Sequence, residues 1–293
     1  MSRAVLLLAH GAPDRIEDIE QYIGYVRGGR SLPPHVLEQI KQRYALIGGG
    51  SPLLECTRRQ AAALQARLGI AVYYGMRNWH PFIQETMARM QADGVRRIVA
   101  ICLAPQYSKF SVGLYFRRVQ QAKVALQMDA EIVWTQSFHN HPGLVEAFAE
   151  KLAPLLPAER VLFTAHSLPE KVLEQGDRYD TETRTTAALV AARLGLPQYG
   201  FAYQSQGLTD EKWLGPTVES VLEDYAAQGV KRVVLAPIGF VSDHVEVLYD
   251  VDILFRDYAA ARGIRLERAA SLNDSPSFIA ALAEVARERL GTD

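Results

Sequence analysis

Two histidines and two carboxylates stand where the chain could hold a divalent cation or move a proton. His166 follows the apolar run 161–165 (VLFTA), and His10 follows the matching run 5–9 (VLLLA). Glu246 and Asp250 are four apart in the segment 237–252 (PIGFVSDHVEVLYDVD), a spacing that puts both on one face of a helix beginning at Ser242 or Asp243. A neutral imidazole and a carboxylate from different strand ends make a sparse nitrogen–oxygen site, better suited to a transient divalent ion than to a permanent structural metal. Both groups also accept protons. Blander roles compete at each position. His166 would be satisfied by a local turn, with Ser167 and Glu170 capping the next helix, while Asp243 and Glu246 have the spacing of a capping box. His10 would then bond only the turn before Pro13. His244, two residues before Glu246, is expected to face elsewhere, as a cap or a support.

An internal repeat positions these residues. Residues 5–13 (VLLLAHGAP) match 161–169 (VLFTAHSLP), and 60–70 (QAAALQARLGI) match 185–197 (TTAALVAARLGLP). Trp79 and Trp213 each lead into an amphipathic stretch, and 94–99 (GVRRIV) match 229–234 (GVKRVV). Each half therefore reads strand, helix, strand, helix, strand, the pattern of a parallel sheet covered on both faces. The expected fold is α/β, two tandem doubly wound lobes with an active-site cleft between them. The N-terminal lobe spans 1–135 and carries an inserted segment over 14–56. The C-terminal lobe spans 136–293 and ends in a closing helix marked by Phe278, Leu282, Val285 and Leu290. Ligands of such sheets bind beyond the carboxyl ends of the strands, where His10 and His166 lie.

The inserted segment brings Tyr22, Tyr25, Arg27, Arg30, Arg43 and Tyr44, then Gly48, Gly49, Gly50, Ser51 and Pro52, to the cleft mouth. Flat aromatic surface mixed with guanidinium groups suits a planar ligand bearing carboxylates. No Gly-Lys-Ser/Thr follows the glycines, so they do not make a phosphate loop. The chain of 293 residues is 48% hydrophobic and 22% charged, with a formal net charge of -1. That balance argues against a nucleic-acid partner. With neither a run long enough to span a bilayer nor a signal-peptide layout, a cytoplasmic enzyme without integral membrane association is expected. Cys56 and Cys102 are too few for a disulfide framework, a thiolate zinc site or an iron-sulfur cluster of their own, and read as buried small hydrophobes.

The motifs together resemble the ferrochelatase family over essentially the whole chain. They are Ala165-His166-Ser167-Leu168-Pro169, the stretch from Gln204-Ser205-Gln206-Gly207 to Trp213-Leu214-Gly215-Pro216, and 239–250 (GFVSDHVEVLYD). The resemblance implies metal insertion in haem biosynthesis, with Fe2+ as substrate, no tightly bound cofactor, and His166 and Glu246 as metal-site and proton-handling residues. Insertion must remove two pyrrole protons and tilt the ring nitrogens toward the metal, which a His/Glu pair on one face of a ring-bending cleft would serve. The stretch 106–112 (QYSKFSV) and Arg43-Tyr44 before Gly48 and Ser51 are closest to the soluble coproporphyrin III enzymes. That resemblance implies substrate contacts at His10, Arg27, Arg43, Tyr44, Ser51 and Tyr115, a metal relay at Asp250, and transient contact with the next enzyme of the pathway. Two positions depart from the pattern. His10 stands where close relatives have a tyrosine facing the metal, so its imidazole is expected to ligate product iron, and Leu254 interrupts the acidic row beyond Asp250. Protoporphyrin IX as substrate, a cobalt or nickel chelatase of a reduced tetrapyrrole, and a two-lobed binding protein without chemistry are the alternatives.

Overall fold

The computed structural model describes residues 2–207 and 211–291. The first half supplies β1 (Arg3–Ala9), β2 (Val72–Met76), β3 (Arg97–Cys102) and β4 (Glu131–Thr135). The second half supplies β5 (Arg160–His166), β6 (Gly200–Gln204), β7 (Arg232–Ala236) and β8 (Arg265–Arg268). Each set forms a parallel sheet, in the orders β2-β1-β3-β4 and β6-β5-β7-β8. The repeat revealed three strands per half. The fourth strands escaped it because β4 (EIVWT) and β8 (RLER) share no sequence.

Helices cover both faces. After β1 the inserted segment folds as α1 (Ile19–Val26) and α2 (Pro34–Leu46), and α3 (Leu53–Leu68) returns the chain to β2. The remaining crossovers of the first lobe are α4 (Ile83–Ala92) and α5 (Val112–Ala125), and α6 (Pro142–Leu152) leads into the second. There α7 (Lys171–Glu174) and α8 (Tyr179–Arg193) precede β6, α9 (Val218–Ala227) precedes β7, and α10 (Val245–Leu248) and α11 (Arg256–Ala260) precede β8. The last helix, α12 (Pro276–Leu290), buries Phe278, Leu282 and Val285 at the expected helical spacing. It packs on α3, α6, β3 and β4, so the chain end crosses back onto the first sheet.

Strand alternation explains the uninterrupted apolar runs. Val5 and Leu7 of β1 join Val161 and Phe163 of β5 and Val234 of β7 in one core that runs through both sheets. Their neighbours Ala4, Leu6 and Leu8 face the opposite way, against Met87, Met90 and Val119. Both faces are thus buried, each large side chain contributing about 1.5–3 kcal/mol. Gly50 is required by close approach: a Cβ there would lie 1.9 Å from the Asp14 carbonyl oxygen. This packing brings the inserted segment back to the end of β1, where the Ser51 N–H donates to the Pro13 carbonyl at 2.8 Å.

One further device sets the cleft. The loop after β3 is held by the second lobe, with the Glu182 carboxylate accepting from the Tyr107 N–H at 2.7 Å and Asp177 from the Lys109 N–H at 2.7 Å. Gln106 completes the join by donating to Thr186 Oγ1 and to the Ile238 carbonyl, both at 3.1 Å. A wall of the cleft is therefore built by one lobe and fixed by the other.

Candidate active site

In each sheet the strand order reverses direction beside the central strand, β1 or β5. The cavity opens where those reversals face one another, as expected of doubly wound sheets. It has a volume of about 290 Å³. The loop after β3 contributes Phe110, and the loop after β7 contributes Gly239 and Phe240.

His166 ends β5, and Tyr179 Oη donates to its backbone carbonyl at 2.9 Å. Its Nδ1 faces the Ser167 carbonyl in a short contact. A carbonyl can only accept, so Nδ1 carries a proton, and in the neutral tautomer Nε2 offers its lone pair to the cleft. Nε2 lies 3.6 Å from Glu246 Oε2, and each side chain keeps 33% of its surface exposed. Glu246 is placed by the end of β6: Gln204 Nε2 donates to its carbonyl at 2.8 Å, while Gln204 Oε1 accepts from Thr164 Oγ1 at 2.7 Å.

The helix carrying Glu246 starts later than predicted. His244 is its N-cap and Val245 its first residue, so the expected start at Ser242 or Asp243 is corrected. No capping box forms, because Asp243 turns away to accept from Ser271 Oγ at 2.7 Å and Asn273 Nδ2 at 2.8 Å. Ser167 does not cap α7 either: its Oγ donates to the Leu214 carbonyl at 2.8 Å. The expectation that His244 faces elsewhere is also corrected. Its Nε2 lies 3.7 Å from Glu246 Oε2, and Nδ1 bonds the Ser242 carbonyl at 3.0 Å.

Burial alone would raise the Glu246 carboxyl, but His166, His244 and His10 outweigh it and hold it at about 2. His244 moves up: burial opposes its protonation, but the bond and charge of Glu246 win. Asp250 opens the π-helical turn Asp250–Phe255, behind the cavity lining, and accepts from Ser205 Oγ at 2.5 Å. Burial pushes Asp250 up to about 6, with the charge of Glu246 adding to the rise. Among the described residues no three metal-ligating side chains are grouped as a metal cage.

The other sequence-derived residues divide. His10, Tyr44 and Tyr115 line the cavity with His166 and Glu246. Burial raises both phenols, Tyr115 to about 12, so they stay protonated donors. Arg27, Arg43 and Ser51 lie outside the lining. Arg27 bonds the Arg30 carbonyl at 3.3 Å, exposed Arg43 lies over the Tyr249 ring at 5.2 Å, and buried Ser51 accepts from the Leu53 N–H at 3.3 Å where α3 begins. Leu254 is 43% exposed, and Cys56 and Cys102 are buried free thiols. Sequence reasoning missed Arg77, which lines the cavity just after β2. The strand-end rule that selected His10 and His166 would have found it if applied to β2.

Facing doubly wound sheets with an imidazole–carboxylate pair at the cleft floor define a two-lobed α/β enzyme of chelatase architecture. The solved structure of SirB from Bacillus subtilis with Fe3+ shares that fold, with a TM-score of 0.65 at 12% identity over 99% of this chain and 96% of SirB. The ferrochelatase family model matches residues 2–290. A ferrochelatase from Acidobacterium capsulatum is 43% identical over 98% of this chain and 94% of that protein. A coproporphyrin III ferrochelatase from Geobacillus thermodenitrificans is 37% identical over 99% of this chain and 96% of its own length. The chain belongs to the ferrochelatase family, whose reaction is insertion of iron into a porphyrin in haem biosynthesis.

Proposed function

We propose that this chain inserts Fe2+ into coproporphyrin III to give iron coproporphyrin III, with iron as substrate and no resident cofactor. The observation that carries the reading is the His166–Glu246 pair, 3.6 Å apart on the floor of a cavity walled by Tyr22, Tyr44 and Phe110. Ionised Glu246 offsets the charge of the incoming cation, and the Nε2 lone pair of His166 is free to ligate it or to accept a pyrrole proton. Asp250, one turn behind, relays the ion. Carboxylates on the porphyrin edge meet Arg43, Arg27 and the phenols of Tyr44 and Tyr115, with Ser51 at the same rim. The relatives that carry the coproporphyrin name support this choice over protoporphyrin IX. Among the described residues no helix is long and apolar enough to cross a membrane. We place the reaction in the cytoplasm, with transient contact to the enzyme that takes up the product.

Anaerobic insertion followed by absorbance, with coproporphyrin III and protoporphyrin IX compared, tests the reading. Wild type should prefer the substrate with four propionates. Arg43→Ala should lower kcat/KM for coproporphyrin about ten- to a hundredfold, as expected for one charged hydrogen bond of about 1.5–3 kcal/mol, while changing protoporphyrin little. Equal losses for both porphyrins, or a wild-type preference for protoporphyrin, would refute the assignment.

A further inference from the structure

His10 forms the first-lobe wall of the cavity, across from His166 and Glu246. The exits of β1 and β2 are laced together there. The Arg77 N–H donates to the Ala9 carbonyl and the Asn78 N–H to the His10 carbonyl, both at 3.0 Å. That lacing sets two side chains against the imidazole. Arg77 Nη2 lies 3.3 Å from His10 Nδ1, and Asn78 Nδ2 lies 3.1 Å from His10 Nε2. The guanidinium is in turn held over the Tyr115 ring, 5.0 Å from its centroid.

The chemistry of the donors decides the tautomer. A guanidinium has donors and no acceptor, so Nδ1 must accept from Arg77. The proton of the neutral ring then resides on Nε2, and Asn78 receives it by presenting its amide oxygen, which exchanges places with the amide nitrogen without moving any heavy-atom position. Burial and the charge of Arg77 keep the ring neutral, at about 3. For Nε2 to bind a metal, its proton would have to move to Nδ1, against the guanidinium.

We propose that Arg77 and Asn78 lock His10 in the Nε2–H tautomer with both ring nitrogens occupied, so that His10 is a hydrogen-bonded wall of the porphyrin pocket and is withheld from the iron. Arg77 is the positioning residue that enforces this. The inference rests on the reading of the cleft as the porphyrin site, and it replaces the sequence-based expectation that His10 ligates product iron. Product then leaves without breaking an iron–nitrogen bond to the first lobe.

The test has two arms. In ligand-free protein labelled with 15N in its imidazoles, the His10 signals, identified by their loss in His10→Ala, should show the Nε2–H pattern. They should shift toward a mixture of tautomers in Arg77→Met and keep the wild-type pattern in Arg77→Lys. In the second arm, preformed ferric coproporphyrin III is added. Wild type and His10→Ala should give the same absorbance spectrum, whereas Arg77→Met should acquire a histidine-ligated spectrum that the added His10→Ala change abolishes. An Nδ1–H pattern in wild type, or a wild-type spectrum altered by His10→Ala, would overturn the proposal. The first arm uses no porphyrin, so a wrong substrate assignment would not change its outcome.

Discussion

Asp250→Asn should make the protein more stable at neutral and alkaline pH. The carboxyl is 8% exposed, accepts from Ser205 Oγ, and stands one turn after the ionised Glu246. Its ordinary value of 3.8 rises to about 6. The folded protein therefore keeps this proton up to about pH 6, while the unfolded chain releases it near 3.8. The folded state binds more protons in that window, so stability falls as pH rises through it and is flat above. At about 1.4 kcal/mol per tenfold, the ionised carboxylate costs about 3 kcal/mol at pH 8. Asparagine keeps an acceptor for Ser205 and carries no charge. Urea unfolding of both proteins should show the variant about 3 kcal/mol more stable at pH 8, with the gap falling to about half at pH 5. A variant no more stable than wild type at pH 8, or a gap that does not narrow toward pH 5, would refute the reasoning.

Four other substitutions test the geometry. His166→Ala and Glu246→Gln should each abolish iron insertion with the thermal transition preserved, and Glu246→Gln should still bind porphyrin by fluorescence quenching; normal turnover in either would remove that residue from the site. Gly239→Ala would place a Cβ 2.8 Å from Ala165 Cα and 3.4 Å from the His166 N, so it should cost about 1–3 kcal/mol and lower kcat by displacing the strand end. Wild-type kcat in that variant would show that the strand end tolerates the shift. Glu182→Leu strands the Tyr107 N–H, removes one of the partners of Ser137 Oγ, and leaves Arg178 and His139 without their buried carboxylate, so unfolding free energy should drop by about 3–5 kcal/mol. A loss under about 0.5 kcal/mol would show that the lobes are held by other contacts.

What the sequence by itself determined was the repeat and, through it, the paired sheets, because strand and helix periods are local properties and a duplication writes them twice. The strand ends bearing His10 and His166 were legible for the same reason. The segment after β7 was legible only in part: spacing placed Glu246 and Asp250 together, but the start of the helix was decided by Asp243 turning to Ser271 and Asn273, far along the chain. That shift is what brought His244 to Glu246 and dissolved the capping box. Arg43 and Ser51 read as pocket residues from the resemblance, yet whether a side chain lines a cavity depends on how α2 and the start of α3 pack over it. The tautomer of His10 lay wholly beyond sequence. It is set by Arg77 and Asn78, which the parallel pairing of β1 with β2 brings within hydrogen-bonding distance across a separation of about 67 residues.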